Sequence, residues 1–181
     1  TFPNGRRAGA DVENLILMVA GSSLETSEAR LRRFPRSSVV FLVGEINQVS
    51  ASRVIMQMLY LWNIDARKDI NLYINSPGGD ITAWFAIYDT MQYVQPNIAT
   101  ICLGQAASAA AVLMAAGQKG KRMALPHARI LLHQPYGNVG YGQVTDLEIA
   151  AREILRMREL LEEILVHHTG QSMENIRRDT D

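Results

Sequence analysis

A serine and a histidine form the pair of residues in this chain with the clearest capacity for chemistry. Ser108 lies in the sequence GQAASAAA at 104–111, and His133 ends the apolar run RILLH at 129–133. A serine hydroxyl becomes a strong nucleophile when an adjacent imidazole takes its proton, and a third group, usually Asp, fixes the tautomer of that imidazole. The pair therefore predicts a serine nucleophile and its base, with the third group unassigned.

Both residues also have a purely structural interpretation. A serine among alanines can simply allow close helix packing, and a histidine at the end of an apolar strand can be a hydrogen-bonded structural residue. Ser108 alone favours the packing interpretation, but the presence of His133 as well favours catalysis.

A glycine-rich turn offers backbone donors for negative charge. The sequence NSPGG at 75–79 follows a predicted strand and precedes a predicted helix. A tetrahedral oxyanion needs two preorganised donors at about 3 Å, and NH groups from two strand-to-helix turns could supply them. A plain tight turn is the alternative. Phosphate binding is disfavoured, because the segment has neither a P-loop lysine nor a GxGxxG pattern.

Other reactive residues are given structural roles. His127, His167 and His168 have no Cys or acidic residues at metal-ligand spacing, so we predict no metal site. Cys102 lies in an apolar run and is predicted to be a core strand residue. The GxSxG turn of the α/β-hydrolases is absent from the sequence.

Composition indicates one ordinary globular domain. The chain has 181 residues, of which 48% are hydrophobic, and its 18 basic and 18 acidic residues cancel. A neutral chain has no overall field to attract nucleic acid or an anionic membrane, so we predict neither as a partner. No apolar run approaches the roughly 20 residues that span a bilayer. The single cysteine fits a reducing compartment.

Strand and helix patterns alternate along the chain. Short β-rich runs predict strands at 38–44, 70–74, 99–103, 123–126 and 129–133. Helical periodicity covers 50–62 and 81–94, with Ser50 or Ser52 as a cap for the first, and an alanine-rich helix runs from about 105 to 117, with Ser108 just inside it. Such alternation predicts an α/β fold in which crossover helices join parallel strands and cover both faces of the sheet.

A glycine-rich segment and the longest helix complete this pattern. Three glycines within 137–142 predict a mobile segment. The sequence TDLE at 145–148 has the spacing of a capping box for the helix that ends at Gly170. Apolar residues lie on more than one side of that helix, so we expect it to contact another subunit. Its predicted seam consists of Leu147, Ala150, Ile154, Met157, Leu161 and Ile164, with Leu155, Leu160 and Leu165 off the seam.

Seven segments in order resemble the proteolytic subunits of the Clp protease, the ClpP family of bacteria and endosymbiont-derived organelles. They are NSPGG at 75–79, IYDTMQ at 87–92, GQAAS at 104–108, GKR at 120–122, HQP at 133–135, AREIL at 151–155 and HTGQ at 168–171. The resemblance covers about 39–181, whereas 1–37 matches poorly. It divides the chain into a divergent N-terminal segment, 1–37, and a peptidase domain, 38–181.

The resemblance implies a fold and a set of site residues. The fold would be α/β, the ClpP/crotonase-like arrangement of stacked βαβ units with a long handle helix. Ser108 would be the nucleophile and His133 the general base, and the backbone NH groups of Gly79 and Ala109 would form the oxyanion hole. Family members need no metal or cofactor.

The triad acid is expected just beyond Asp181. The family continues with the motif DTxRD, in which the last Asp is catalytic, so Asp179 and Asp181 match non-catalytic positions. The chain is therefore expected to be a truncated or cut-back form of a longer sequence.

The resemblance also implies partners. Self or paralogous subunits would form heptameric rings that stack as a tetradecamer, and a docked AAA+ ATPase would feed unfolded polypeptides into the chamber. The compartment would be the bacterial cytoplasm, or an organelle matrix or stroma in a eukaryote. Asn71 departs from the aromatic residue that is common at its position in the docking cleft. The apolar positions that match the cleft are Tyr73, Ile101, Leu103, Met123 and Leu125.

Two other functions compete with a serine endopeptidase. A non-catalytic subunit of a mixed ring would need neither Ser108 nor His133, and both are present. An acyl-CoA hydratase or isomerase on the related crotonase-like fold would also use two backbone NH groups. Enzymes of that class typically use carboxylates, so the substitution Ser108→Ala would be nearly silent in one of them.

Overall fold

The computed structural model describes residues 38–133 and 143–180. The predicted divergent segment 1–37, the whole of the predicted mobile segment 137–142 and Asp181 lie outside the described residues.

Within the described ranges, five parallel strands form the sheet. Four of them pair in the order β1-β2-β3-β4, and β5 pairs with a later stretch of β3. Each described pairing is parallel, as the alternation of strands and helices predicted. The strands are β1 (Val39–Val43), β2 (Ile70–Ser76), β3 (Ile98–Ala107), β4 (Arg122–Ala124) and β5 (Arg129–Leu131).

In the part of the chain that the structure describes, one helix follows each of the first three strands, and two more helices follow β5. Crossover helices α1 and α2 join β1 to β2 and β2 to β3, which is the connection that parallel neighbours require. The last helix, α5, was not predicted from the sequence. The helices are α1 (Gln48–Ile64), α2 (Ile81–Tyr93), α3 (Ala109–Ala116), α4 (Val144–Thr169) and α5 (Met173–Thr180).

Two predicted helix starts were wrong in detail. Asn47 caps α1, and its side chain accepts hydrogen bonds from the NH groups of Val49 and Ser50. Ser50 is the reciprocal partner in this capping box rather than the cap itself. Helix α4 begins at Val144 with Gln143 as its N-cap, so Thr145 lies inside the first turn and does not cap it.

Strand β3 is longer than predicted, and this changes the setting of Ser108. The strand was expected to end at Leu103, but it continues to Ala107 through an irregularity in its pairing with β2. Gly104, with φ of 63°, lies within that irregularity. Ser108 therefore lies immediately before α3 and not just inside it.

The core lies on one face of the sheet. Alternate residues of β1 and β2, such as Val40, Leu42, Leu72 and Ile74, pack with the buried side chains of α1, α2 and α3. The positions between them, such as Phe41 and Tyr73, are only partly buried. Both faces of the sheet were predicted to be covered by helices. Among the described residues, one face is fully covered, whereas the other is only partly buried.

Helix α4 joins this core through its C-terminal part. Leu161 and Leu165 are buried in the core cluster, whereas Leu155 is exposed. Leu165 was placed off the predicted apolar seam, so the seam was wrong at this residue. Leu165 lies one turn after Leu161 and belongs to the same core cluster, which also includes Ile176 of α5.

Candidate functional site

Ser108 has a strained backbone. Its φ of 55° and ψ of −128° make it the one non-glycine residue with positive φ among the described residues. Its NH donates to the carbonyl of Leu131 at 2.8 Å, and its carbonyl accepts from the NH of Ala111 at 2.9 Å. Strained conformations cost about 1–3 kcal/mol and persist only where the surroundings enforce them. Ser108 is thus held at a sharp turn between β3, β5 and α3.

Strand β5 brings His133 to the same turn. Ala106 and Ala107 of β3 pair in register with Ile130 and Leu131 of β5. His133 follows β5 by two residues and is partly buried. The sheet therefore brings together the predicted nucleophile and base, which are far apart in sequence.

Ser108 and His133 line one cavity of about 440 Å³. Apolar side chains and the glycine turn form much of its wall, and a pair of charged residues from α4 adds to it. The other residues that line the cavity are Glu45, Pro77, Gly78, Gly79, Ile81, Ala109, Val112, Leu132, Arg158, Leu161, Glu162, Leu165 and Thr180.

The glycine turn packs directly against Ser108. Gly78 has φ of 93°, and a Cβ there would lie 2.8 Å from both the Ala107 carbonyl oxygen and the Ser108 Cβ. A side chain at Gly78 would therefore push the two strand-to-helix turns apart. The turn is secured by the Ser76 hydroxyl, which accepts from the Gly78 NH at 3.1 Å.

The backbone NH groups of Gly79 and Ala109 belong to two adjacent turns on this cavity. The flanking hydrogen bonds join the Ile46 NH to the Gly78 carbonyl and the Asp80 NH to the Ile46 carbonyl, and neither uses the Gly79 NH. Ala109 is the first residue of α3, where NH groups have no partner within the helix. Their role as an oxyanion hole stays a prediction, and it requires two such donors.

A buried ion cluster on the cavity wall was missed by the sequence analysis. Glu162 is buried and accepts from Arg158 Nε at 2.7 Å and from Arg177 Nε at 2.8 Å. Burial raises the pKa of Glu162, but hydrogen bonds from Arg177 and Arg158 outweigh it and leave the pKa below its usual range. The i,i+4 spacing of Arg158 and Glu162 could have suggested their pair. No local pattern predicts the contact with Arg177.

The end of α5 approaches the same cavity. Thr180 is buried and lines it, and the Thr180 hydroxyl donates to the Ile176 carbonyl at 2.9 Å. Asp179 is exposed, where it pairs with Arg178 at 3.0 Å.

The predicted docking residues lie on the less buried face of the sheet. Tyr73, Ile101 and Met123 are direct neighbours across β2, β3 and β4. Phe41, which the sequence analysis did not include, pairs with Tyr73 and stacks on it with the ring centroids 5.4 Å apart. Leu103 and Leu125 lie two residues further along. Met123 and Leu125 are exposed, whereas Ile101 is buried.

The remaining candidates have structural surroundings. Cys102 is fully buried in β3, and burial raises the pKa of its thiol. Asn71 donates to the Ser38 carbonyl at 3.3 Å. No set of three or more metal-ligating side chains occurs within the described ranges. None of the helices in these ranges is long and apolar enough to cross a membrane.

Comparisons with known proteins identify close relatives of the chain. The sequence profile of the Clp protease family matches residues 23–181. The ATP-dependent Clp protease proteolytic subunit 2 of Streptomyces coelicolor is 60% identical over 143 residues, covering 79% of this chain and 66% of the relative. Subunit 1 of Bifidobacterium longum is 52% identical over 158 residues, covering 87% and 67%. Subunit 4 of Streptomyces avermitilis is 59% identical over 143 residues, covering 79% and 63%. The matches thus span about two thirds of the length of these relatives.

Proposed function

The chain belongs to the Clp protease family, and from this premise we propose that it is a serine endopeptidase subunit that hydrolyses unfolded polypeptides to short peptides. The observation that carries the proposal is that Ser108 and His133, from separate strands, line one cavity beside two turns with suitable backbone donors.

The proposed reaction is acyl transfer through Ser108. Its Oγ attacks the peptide carbonyl carbon while His133 takes the hydroxyl proton, and the same proton then goes to the leaving amine. The NH groups of Gly79 and Ala109 stabilise the oxyanion that forms on the carbonyl oxygen. Water, activated by His133, hydrolyses the acyl-enzyme and regenerates Ser108. The strained turn at Ser108 supports this role, since it fixes the nucleophile before substrate binds.

In this proposal the triad acid occupies the family position after Asp181. The motif assigns it there, and Thr180 lines the cavity that contains His133. The position of Thr180 at this cavity supports the assignment. An acid near His133 would hold the imidazole in the tautomer that accepts the Ser108 proton.

The proposal includes an assembly. Residues 38–181 form the peptidase domain and 1–37 a separate segment, and subunits join in heptameric rings that stack as a tetradecamer. An AAA+ ATPase docks on the partly exposed row of Phe41, Tyr73, Ile101 and Met123 and supplies substrate, in the cytoplasm if the source is a bacterium. The exposure of Met123 and the stacked Phe41–Tyr73 pair support this surface as a docking site.

An intact-mass measurement with a fluorophosphonate probe tests the activity. We expect one adduct on the assembled protein and none on the Ser108→Ala variant, because only an activated serine reacts quickly with the probe. Equal labelling of the Ser108→Ala variant would contradict the assignment of the nucleophile. No adduct on an assembled chain that includes the triad acid would instead favour a non-catalytic subunit, whereas no adduct on a chain that ends at Asp181 would indicate an incomplete triad. An acyl-CoA enzyme would keep its turnover in the Ser108→Ala variant.

A further inference from the structure

Glu162 is the charged residue most enclosed in the wall of the cavity. Its side chain is 5% exposed, and each carboxylate oxygen accepts a hydrogen bond from a different arginine. Arg158 lies one turn earlier on α4, and Arg177 lies on α5. A buried carboxylate is costly unless it is paired and hydrogen-bonded. Glu162 therefore keeps its place only while α5 stays seated on α4.

Helix α5 depends on such contacts. It has eight residues, and helices of that length are not stable by themselves in water. Its apolar attachment is Ile176, which belongs to the same core cluster as Leu161 and Leu165. Apolar contacts are non-directional and would allow the short helix to rotate or slide. The hydrogen bond from Arg177 to Glu162 restricts that freedom.

The position of α5 determines part of the cavity wall. Thr180 lies one turn after Ile176 and Arg177, and it lines the cavity together with Leu161, Glu162 and Leu165. A rotation of α5 would move Thr180 relative to these side chains of α4. The walls contributed by Ser108 and His133 come from other elements and would be unaffected.

We propose that Glu162 is a positioning residue for substrate binding, which seats α5 through Arg177 and thereby shapes the cavity wall that receives a substrate side chain. This inference rests on the proposed peptidase function. It assigns Glu162 no contact with the reacting atoms.

The variants Glu162→Gln and Arg177→Gln test the inference. Both remove the charge pair between α4 and α5, and both are expected to fold. In Glu162→Gln the two arginines, 52% and 30% exposed, can be solvated, and in Arg177→Gln the buried Glu162 keeps its hydrogen bond from Arg158. We expect KM for peptide substrates to rise about tenfold, because a loss of affinity of this size corresponds to the loss of about one charge-assisted hydrogen bond. The value of kcat and the rate of fluorophosphonate labelling at Ser108 should stay near wild type.

Two further variants serve as controls. Arg178→Gln removes a neighbouring arginine of α5 whose pair with Asp179 is exposed, so KM should not change. Arg177→Lys keeps the charge, and it should recover much of the lost affinity. A merely structural role would lower thermal stability without this pattern in KM.

Amide hydrogen exchange gives a readout that does not need activity. In Glu162→Gln, the amides of α5 should exchange faster, while those of α3 next to Ser108 should not change. Unchanged exchange in α5 would overturn the inference even if the protein proved to have no peptidase activity. A fall in kcat and in labelling at Ser108, with KM unchanged, would overturn it in favour of a direct effect on the nucleophile. Failure of wild-type labelling alone would reject the proposed function and leave the exchange measurement to decide the inference.

Discussion

At the scale of single residues, the backbone is as important to the site as the side chains. Ser108 adopts a conformation that an L-residue rarely adopts, and it is held there by hydrogen bonds to Leu131 and Ala111. Gly78 allows the neighbouring turn to approach within contact distance of Ser108. Ser108 is therefore placed by two turns that fit together only because one of them has no side chain at Gly78.

Gly79 gives a prediction at this scale. It has φ of 152°, and a Cβ there would collide with the backbone of Ile46. We expect Gly79→Ala to displace the turn and to slow fluorophosphonate labelling of Ser108 by about 10²-fold, the effect of losing one oxyanion donor. The rate of labelling, followed by intact mass, measures this.

Gly120→Ala is the matched control for that substitution. Gly120 also has positive φ, at 82°, but its Cβ would meet open space. The backbone strain should cost about 1–2 kcal/mol of unfolding free energy without changing the labelling rate. Equal labelling rates for the two variants would show that the Gly79 turn is not part of the site.

At the scale of elements, β3 and α3 form a continuous support for Ser108. The strand ends at Ala107 and the helix starts at Ala109, so any shift of α3 along β3 would move the serine between them. The C-terminal end of α3 is joined to the strand by a hydrogen bond. Thr100 of β3 is fully buried and donates its hydroxyl proton to the Met114 carbonyl at 2.9 Å.

Thr100→Val tests this hydrogen bond. The substitution keeps the shape of the side chain but removes the donor, and we expect it to lower the free energy of unfolding by about 1–2 kcal/mol. Urea denaturation measures the change. The control Thr90→Val removes a hydroxyl that bonds only within α2, to the Ala86 carbonyl. A loss no greater than that of the control would mean that the Thr100 bond does not secure α3.

At the scale of the whole described domain, the two faces of the sheet have different uses. One face holds the core, and the other carries Phe41, Tyr73, Ile101 and Met123 in register across four strands. Met123 is 44% exposed at the end of this row. A partly exposed apolar row of this kind is typical of a surface that binds a protein partner.

Met123→Lys tests the proposed docking surface. A charge placed in an apolar contact is costly to desolvate, so ATPase-dependent protein degradation should fall by about tenfold or more. Hydrolysis of small peptides, which needs no ATPase, should be unchanged. Gln118→Lys adds the same charge on the exposed loop before β4 and is the control. Equal degradation by the two variants would reject this surface.

The domain also has a predicted dependence on pH. Burial lowers the pKa of His168, and the nearby charges of His167 and Arg122 lower it further. The Tyr88 hydroxyl lies 3.0 Å from His168 Nε2. Because the pKa in the folded state is below the ordinary value of 6.5, the unfolded chain takes up this proton first as pH falls. The stability due to neutral His168 is thus present above pH 6.5 and is lost as pH falls from there through the folded pKa.

Unfolding free energies measured from pH 8 to pH 5 check this dependence. Wild type should lose stability below pH 6.5, and His168→Gln should lose less over the same interval. His167→Gln is the control, because His167 is exposed and its own substitution should change the slope less. Parallel curves for wild type and His168→Gln would contradict the prediction.

What the sequence determined by itself is mostly local or carried by motifs. The alternation of apolar strands and amphipathic helices was sufficient for a parallel α/β fold, because periodicity directly reflects burial. The sequence also predicted Ser108 and His133 as nucleophile and base, from the chemistry of the two side chains and from the resemblance to the Clp protease family, and both line one cavity.

Only the tertiary structure decided the features that depend on distant contacts. The extension of β3 to Ala107 follows from its pairing with β5, and that pairing places Ser108 before α3 in a strained turn. The burial of Glu162 depends on Arg177, 15 positions later, which reaches it only because α5 folds back on α4. Such contacts join segments whose own sequences carry no sign of one another, and for that reason periodicity and spacing could not reveal them.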